Sequence, residues 1–310
     1  MIESSGDFMT QTYDSVIKKA LGKRNVMIMT IALSLLVLSA TIIFGYQVLI
    51  VAAISLAAAF LVELMFSKGR KIDFDGAWMI YPLLLTLLIP STLELKHFWM
   101  VAVGSAFGSF FGKAIFGGSG KYVFNPALVG LLFITVSFPA YFPTMLVRAN
   151  EVGSNYTLME MILGNTPGAL GETFRIGIFA IGVALIFLKV IDWKIPLTLL
   201  LSVFVFTQLG IWFGISGFPN NAFNTLFIGN LFLVSFFVAT DETTTPIYPW
   251  GRVIFAVGIA LITVVIRFMA TFPEGTMFAI IIMSAVAPLI DNQFRERIEK
   301  REGVTNESKS

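Results

Sequence analysis

The 310-residue chain contains no cysteine, a single histidine (His97) and little charge, with Asp, Glu, Lys and Arg making up 13% of it. The lack of cysteine excludes disulfides, thiolate metal sites and cysteine-ligated iron–sulfur clusters. One histidine excludes a haem held between two histidines. Soluble domains carry about 25% charged residues, because their surface faces water. A chain with half that fraction, 56% hydrophobic residues and a mean hydropathy of +0.84 has lipid as its solvent. Its first 22 residues are polar, so no cleavable signal peptide is expected there. No Walker-type loop, Ser/His/Asp set or cluster of metal ligands stands out, and soluble-style catalysis is not expected.

What is present is a series of apolar runs. A spanning helix needs about 20 largely apolar residues, fewer where it is broken. By that rule spans are expected near 26–44, 46–66, 77–91, 97–116, 124–138, 173–190, 195–214, 223–239, 251–270 and 275–290. The fold class is therefore an all-α polytopic membrane protein of about ten helices. The segments from Phe124 and from Thr276 look short, each starting just after a Pro or Gly.

The basic residues sit in short clusters that report orientation, not nucleic-acid binding. Lys18, Lys19, Lys23 and Arg24 precede the first span; Lys68, Arg70 and Lys71 follow the second. Lys113 with Lys121, Lys189 with Lys194, Arg252, and the tail Arg295, Arg297, Lys300 and Arg301 fall on the same side. The opposite loops hold only Lys96, Arg148 and Arg175. Both termini are thus expected in the cytoplasm, in a multi-pass protein of a bacterial or archaeal cytoplasmic membrane.

Two stretches share a grammar. Leu83–Thr92, a long helix and a Gly-rich loop lead to Phe124-Asn125-Pro126-Ala127, which opens a helix; Leu233–Thr240, a polar turn and a long helix lead to Phe272-Pro273-Glu274-Gly275, which opens another. The offset is about half the chain. Five helices per half is odd, so the second half is inserted upside down relative to the first. The expected division is 1–25 cytoplasmic segment, 26–138 first repeat, 139–172 extracytoplasmic loop, 173–290 second repeat and 291–310 cytoplasmic basic tail. Chance similarity of Leu/Phe-rich segments is the competing explanation.

Breaks at membrane depth free backbone groups that lipid cannot satisfy, so they persist where they line an enclosed cavity. Helices opening at Asn125-Pro126 and Pro273-Glu274 would aim free N–H groups and a positive dipole end at an anionic or electron-rich ligand. Simple Pro-initiated helices at the interface are an equal alternative for either site. The spans are almost bare of ionisable groups: Glu63 and Arg267 lie near helix ends and are expected to snorkel. A passive pore, a permease and a cofactor scaffold all stay open.

An ordered set of segments narrows the choice. It comprises Phe124–Ala127 with Ser137-Phe138-Pro139, Gly164–Thr173 (GNTPGALGET), and Asp192-Trp193-Lys194-Ile195-Pro196. Ala239-Thr240-Asp241, Pro273–Ala279 and Pro288-Leu289-Ile290-Asp291 follow. From about residue 20 to 295 the chain resembles the flavin-carrying membrane subunit shared by two redox pumps. These are the D subunit of the Rnf-type ferredoxin:NAD⁺ oxidoreductase and the B subunit of the Na⁺-translocating NADH:quinone reductase. The length, with no long N-terminal extension, favours the Rnf side. The resemblance implies ten helices in an inverted repeat and an electron-transfer subunit of an ion-translocating oxidoreductase. Such a complex couples ferredoxin:NAD⁺ oxidoreduction to Na⁺ or H⁺ export, with other membrane and iron–sulfur or flavin subunits as partners. The chain itself would do no bond-making chemistry.

Members of the family hold FMN by a phosphoester to the last threonine of Asp-x-x-Ser/Thr-Gly-Ala-Thr, on the outer side. The matching stretch is Glu151-Val152-Gly153-Ser154-Asn155-Tyr156-Thr157. Ser154 and Thr157 match in spacing; Glu151 replaces Asp, and Asn155-Tyr156 replace Gly-Ala. Two readings follow: covalent FMN on Thr157, or a loop threonine without it. The resemblance further implies that Gly164, Asn165, Gly168 and Gly171 wrap the flavin, with Arg175 as counter-charge. Asn125 and Glu274, at the broken helices, are candidates for a second, non-covalent flavin such as riboflavin. The rival function is an inverted-repeat channel or transporter for a small neutral solute.

Overall fold

The computed structural model describes residues 5–71, 74–141, 158–163, 168–172, 174–227, 229–270 and 275–301. The chain is helical, with no strand among the described residues. α1 (Ser5–Ala20) is amphipathic; α2 (Lys23–Phe44) and α3 (Gln47–Arg70) are long and apolar. α4 (Ile80–Leu88) is short, and α5 (Trp99–Phe107) widens into a π-helical segment, Gly108–Ala114. α6 (Pro126–Ser137), the small α7 (Leu158–Leu163), α8 (Arg175–Phe187) and α9 (Lys194–Trp212) follow. Then come α10 (Ala222–Thr225), α11 (Leu231–Leu233, continuing as a π segment over Val234–Val238), α12 (Pro249–Met269) and α13 (Gly275–Arg301).

Among the described residues five helices are long and apolar enough to cross a membrane: Lys23–Phe44, Gln47–Arg70, Lys194–Trp212, Pro249–Met269 and Gly275–Ile298. Their outward side chains match that solvent, as do those of shorter elements, with Ile42 86%, Phe187 81% and Phe213 78% exposed. Bare apolar surface on this scale is stable in hydrocarbon and not in water. The chain is a multi-pass membrane protein.

Each expected span contains helix, with three departures. The expected 223–239 helix is interrupted between α10 and α11, where Gly229 takes φ 68°. The helix opening at Gly275 is not short: it runs through Pro288 to Arg301 and carries the basic tail with it. Glu63 and Arg267 do not snorkel. They are 8% and 5% exposed, and each has polar partners inside the protein.

Close helix crossing in the first half comes from small residues. Gly104, Gly108 and Gly112 recur every fourth position on α5 and its π extension, and face Pro126 and Gly130 of α6. A Cβ at Gly108 would strike the Pro126 carbonyl, and one at Gly130 the Gly104 carbonyl. Small residues four apart are a common device for helix contact in lipid, where no hydrophobic force draws helices together. The packing order repeats along the chain: α3 lies on α5 and α5 on α6, and likewise α9 lies on α12 and α12 on α13.

Candidate functional site

The short helices α4 and α11 hold the centre. At nine residues, α4 is about 13 Å long, under half the roughly 30 Å of bilayer hydrocarbon. It starts beside one polar joint and ends at a second; α11 runs the opposite way between the same two.

The first joint is made of side chains. Asn125 sits at the N-cap of α6, its Oδ1 accepting from Ala127 N–H at 3.0 Å and Pro126 filling the first turn. Its Nδ2 donates to Asp241 Oδ2 at 2.9 Å. Asp241 lies in the turn after α11 and also accepts from Tyr122 Oη, 3.0 Å from both carboxylate oxygens, and from Thr243 N–H at 3.1 Å. Tyr81, at the start of α4, donates in turn to Tyr122. The opening of α6 thus stands beside the protein's own carboxylate, carried in from 116 residues away. Asp241 keeps a narrow exposure through a small cavity of about 70 Å³, while protein crowds it elsewhere. Burial pushes its carboxyl up to about 6, although the hydrogen bonds from Thr243, Tyr122 and Asn125 pull the other way.

Two ion-pair clusters flank this joint. Lys113, 3% exposed at its side chain, binds Glu63 at 2.9 Å and Asp75 at 2.7 Å, and Ser119 donates to Asp75. Burial alone would raise Asp75, but the Lys113 ammonium and these hydrogen bonds outweigh it and hold the carboxyl below its usual range. Arg252 binds Asp192 at 2.9 Å and pairs with Glu242, while its Nε donates to the Pro246 carbonyl at 3.0 Å. Burial raises Glu242 in spite of Arg252. A larger cavity of about 410 Å³ opens beside the joint, lined by Tyr13, Tyr122, Thr243, Thr245, Ser284 and Asp291. The Thr245 and Ser284 hydroxyls are buried there without a hydrogen-bond partner among the described residues. α1 lies against this region: Tyr13 Oη donates to the Gly120 carbonyl at 3.4 Å, and Ile17 is buried.

The second joint is made of backbone. α4 ends at Ile89-Pro90, leaving carbonyls that the helix cannot satisfy. Gly171 N–H donates to Leu87 O at 2.7 Å and Leu170 N–H to Ile89 O at 2.8 Å. Ser91 returns two bonds to Gly168 O, from N–H at 3.1 Å and Oγ at 2.9 Å, around a single antiparallel bridge between Pro90 and Ala169. A Cβ at Gly171 would sit 2.8 Å from Leu87 Cβ and 2.7 Å from Leu233 Cδ2, so only glycine lets the strap lie this close. Glu172 and Arg175 are buried next to it, at the start of α8.

Of the residues singled out in the sequence, Asn125 belongs to the first joint, and Gly168 and Gly171 to the second. Ser154, Thr157, Gly164, Asn165 and Glu274 lie outside the described residues. Asp241, Tyr81 and Tyr122 are site residues that sequence reasoning misses. The signal for Asp241 is its place directly after a stretch, Ile195–Thr240, that contains no charge at all.

A model of the NQR2, RnfD, RnfE family matches residues 14–300. The chain is 28% identical over 289 residues to the D subunit of the Na(+)-translocating ferredoxin:NAD(+) oxidoreductase complex of Acetobacterium woodii, covering 86% of this chain and 87% of that protein. It is 28% identical over 306 residues to the D subunit of the ion-translocating oxidoreductase complex of Stutzerimonas stutzeri, covering 82% and 85%. To the B subunit of the Na(+)-translocating NADH-quinone reductase of a strain of the same species it is 30% identical over 257 residues, covering 74% of this chain and 62% of that one. These relatives are subunits of ion-translocating oxidoreductase complexes, and the chain belongs to the NQR2, RnfD, RnfE family.

Proposed function

We propose that the chain is the flavin-holding membrane subunit of an ion-translocating ferredoxin:NAD⁺ oxidoreductase complex, folded as two inverted five-helix halves. The observation that carries the reading is the pair of joints. Two broken helices of opposite direction meet polar groups from the other half or from the connection between halves, at the places where a ligand-holding scaffold breaks its helices. Similarity to the D subunits over more than four-fifths of each chain, and the repeated packing order of α3, α5, α6 and α9, α12, α13, support it.

In this reading FMN is attached through Thr157, on the loop between the halves, with Ser154, Gly164 and Asn165 beside it. The strap at 168–172 anchors that loop to the end of α4. A second flavin, riboflavin-like and non-covalent, would belong beside the first joint. The 410 Å³ cavity has the volume of a ligand pocket, about 300–1,000 Å³, and offers aromatic walls and two hydroxyls without partners among the described residues. Bound flavin supplies one- and two-electron chemistry. The chain's own residues position it, exclude water and hold a proton at Asp241. Neighbouring membrane and iron–sulfur subunits would deliver and remove the electrons and move Na⁺ or H⁺. The solute-pore alternative meets a packed interior: Leu84, Leu85 and Leu87 of α4 and Val234, Phe236 and Phe237 of α11 are all buried.

Ultraviolet illumination of the denatured chain on a gel tests the attachment. A fluorescent band that disappears in Thr157→Ala is expected; a dark wild-type band removes Thr157 from the mechanism. For orientation, a reporter after Arg301 should be cytoplasmic and one near Asn150 external. Finding both on one side would overturn the inverted ten-helix arrangement.

A further inference from the structure

A groove of about 280 Å³ lies between α12 and α13, and shares no lining residue with the cavity beside the first joint. Its walls are Ile254 of α12 and Val286, Leu289, Ile290 and Phe294 of α13, and it ends at Gln293 and Arg297. On α13 these positions follow spacings of three and four, so they form one stripe along one helix face. Ile254 is 50% and Leu289 62% exposed, which sets the apolar part of the groove in contact with lipid hydrocarbon.

The polar end stands at a different level. Ile290 packs beside Gly251, in the first turn of α12, and Arg297 lies seven residues further along α13. At 1.5 Å per residue that places it about 10 Å beyond. Aromatic rings mark the boundary between these levels: Trp250 is 72% exposed, and Tyr248 contacts Phe294 with centroids 5.9 Å apart. Trp and Tyr concentrate at the headgroup level of a bilayer. The groove therefore starts in hydrocarbon, passes an aromatic boundary and finishes at a guanidinium among the headgroups. No carboxylate pairs with Arg297 among the described residues.

We infer that this groove is a binding site for one anionic phospholipid, its acyl chain laid along Val286, Leu289 and Ile254 and its phosphate at Arg297 and Gln293. A phospholipid with net negative charge suits an exposed, unpaired guanidinium in a way that a zwitterionic headgroup does not.

Native mass spectrometry of the full chain tests this, after delipidation and exposure to an equal mixture of phosphatidylglycerol and phosphatidylcholine. Retention of one phosphatidylglycerol, about fivefold preferred, is expected from the contribution of one basic residue near an anionic headgroup. Arg297→Gln should abolish the preference, and Leu289→Trp, which fills the groove, should lower retention of both lipids. Arg297 is exposed, so its loss should leave the thermal midpoint unchanged. Equal retention of the two lipids by wild type, or an undiminished preference in Arg297→Gln, would overturn the site. So would a photo-crosslinker at Leu289 that captures a neighbouring subunit of the intact complex in place of lipid.

Discussion

The two joints solve one problem, a helix broken inside a membrane protein, with opposite chemistry. At the end of α4, main-chain N–H groups from 168–172 satisfy the stranded carbonyls, and glycine provides the close approach. At the end of α11, a carboxylate gathers the Tyr122 phenol and the Asn125 amide from the segment that leads into α6, and the Thr243 N–H from its own turn. A backbone strap has nothing to titrate and tolerates no added volume. A carboxylate cluster can be swapped for an isostere, responds to pH, and here stands beside a cavity. The rigid joint suits anchoring of a loop; the titratable one suits a site where charge changes.

The largest expected effect lies beside the carboxylate joint. Lys113→Met leaves a buried Glu63 and a half-buried Asp75 without their cation and should cost about 3 kcal/mol. A thermal melt in detergent reads this as a lower midpoint, and adding Glu63→Gln and Asp75→Asn should restore most of it. A midpoint unmoved by Lys113→Met would show that charge does not hold this end together.

Next comes Gly171→Ala, which presses a methyl into Leu87 and Leu233 and lifts the strap from α4. Overpacking of this kind costs about 1–3 kcal/mol. The loss should be the same from about pH 5 to pH 8, and a pH-dependent loss would erase the distinction between the joints.

Smaller again is Asp241→Ala, which strands the Asn125 amide and the Tyr122 phenol at about 1–2 kcal/mol. Asp241→Asn keeps an acceptor oxygen and should lose less. Equal melts for the two variants would mean that the hydrogen bonds do not contribute.

Titration itself gives a last, spectroscopic signature. Asp241, raised to about 6 in the fold from an ordinary value of about 3.9, binds more protons folded than unfolded in that interval. Its contribution to stability is therefore greatest below about pH 4 and falls as pH rises through 6. Infrared difference spectra should show a protonated carboxyl band disappearing with a midpoint near pH 6, absent in Asp241→Asn. A band unchanged between about pH 5 and pH 7 would contradict the assignment.

Much of this architecture is legible in the sequence, and the misses have physical causes. Apolar runs and loop charge locate the helices, because lipid imposes length and composition directly. Asn125-Pro126 announces a helix start by cap and ring chemistry. The pairing of Asn125 with Asp241 is invisible, since nothing local links residues so far apart. Glu63 reads as a snorkelling side chain because its partner, Lys113, stands 50 positions away. The break before α11 hides in a Phe- and Leu-rich run, although Gly229-Asn230 is a turn signal. α1 escapes a hydropathy window because only one of its faces is apolar. The glycines at 168 and 171 do mark close backbone approach, but not to what, and the structure supplies the end of α4.

Intact-mass measurement of the chain purified from its native membrane tests most directly whether this fold holds flavin. One FMN linked as a phosphoester, on a peptide containing Thr157, is the predicted result. An unmodified mass, with no flavin released on denaturation, would contradict it.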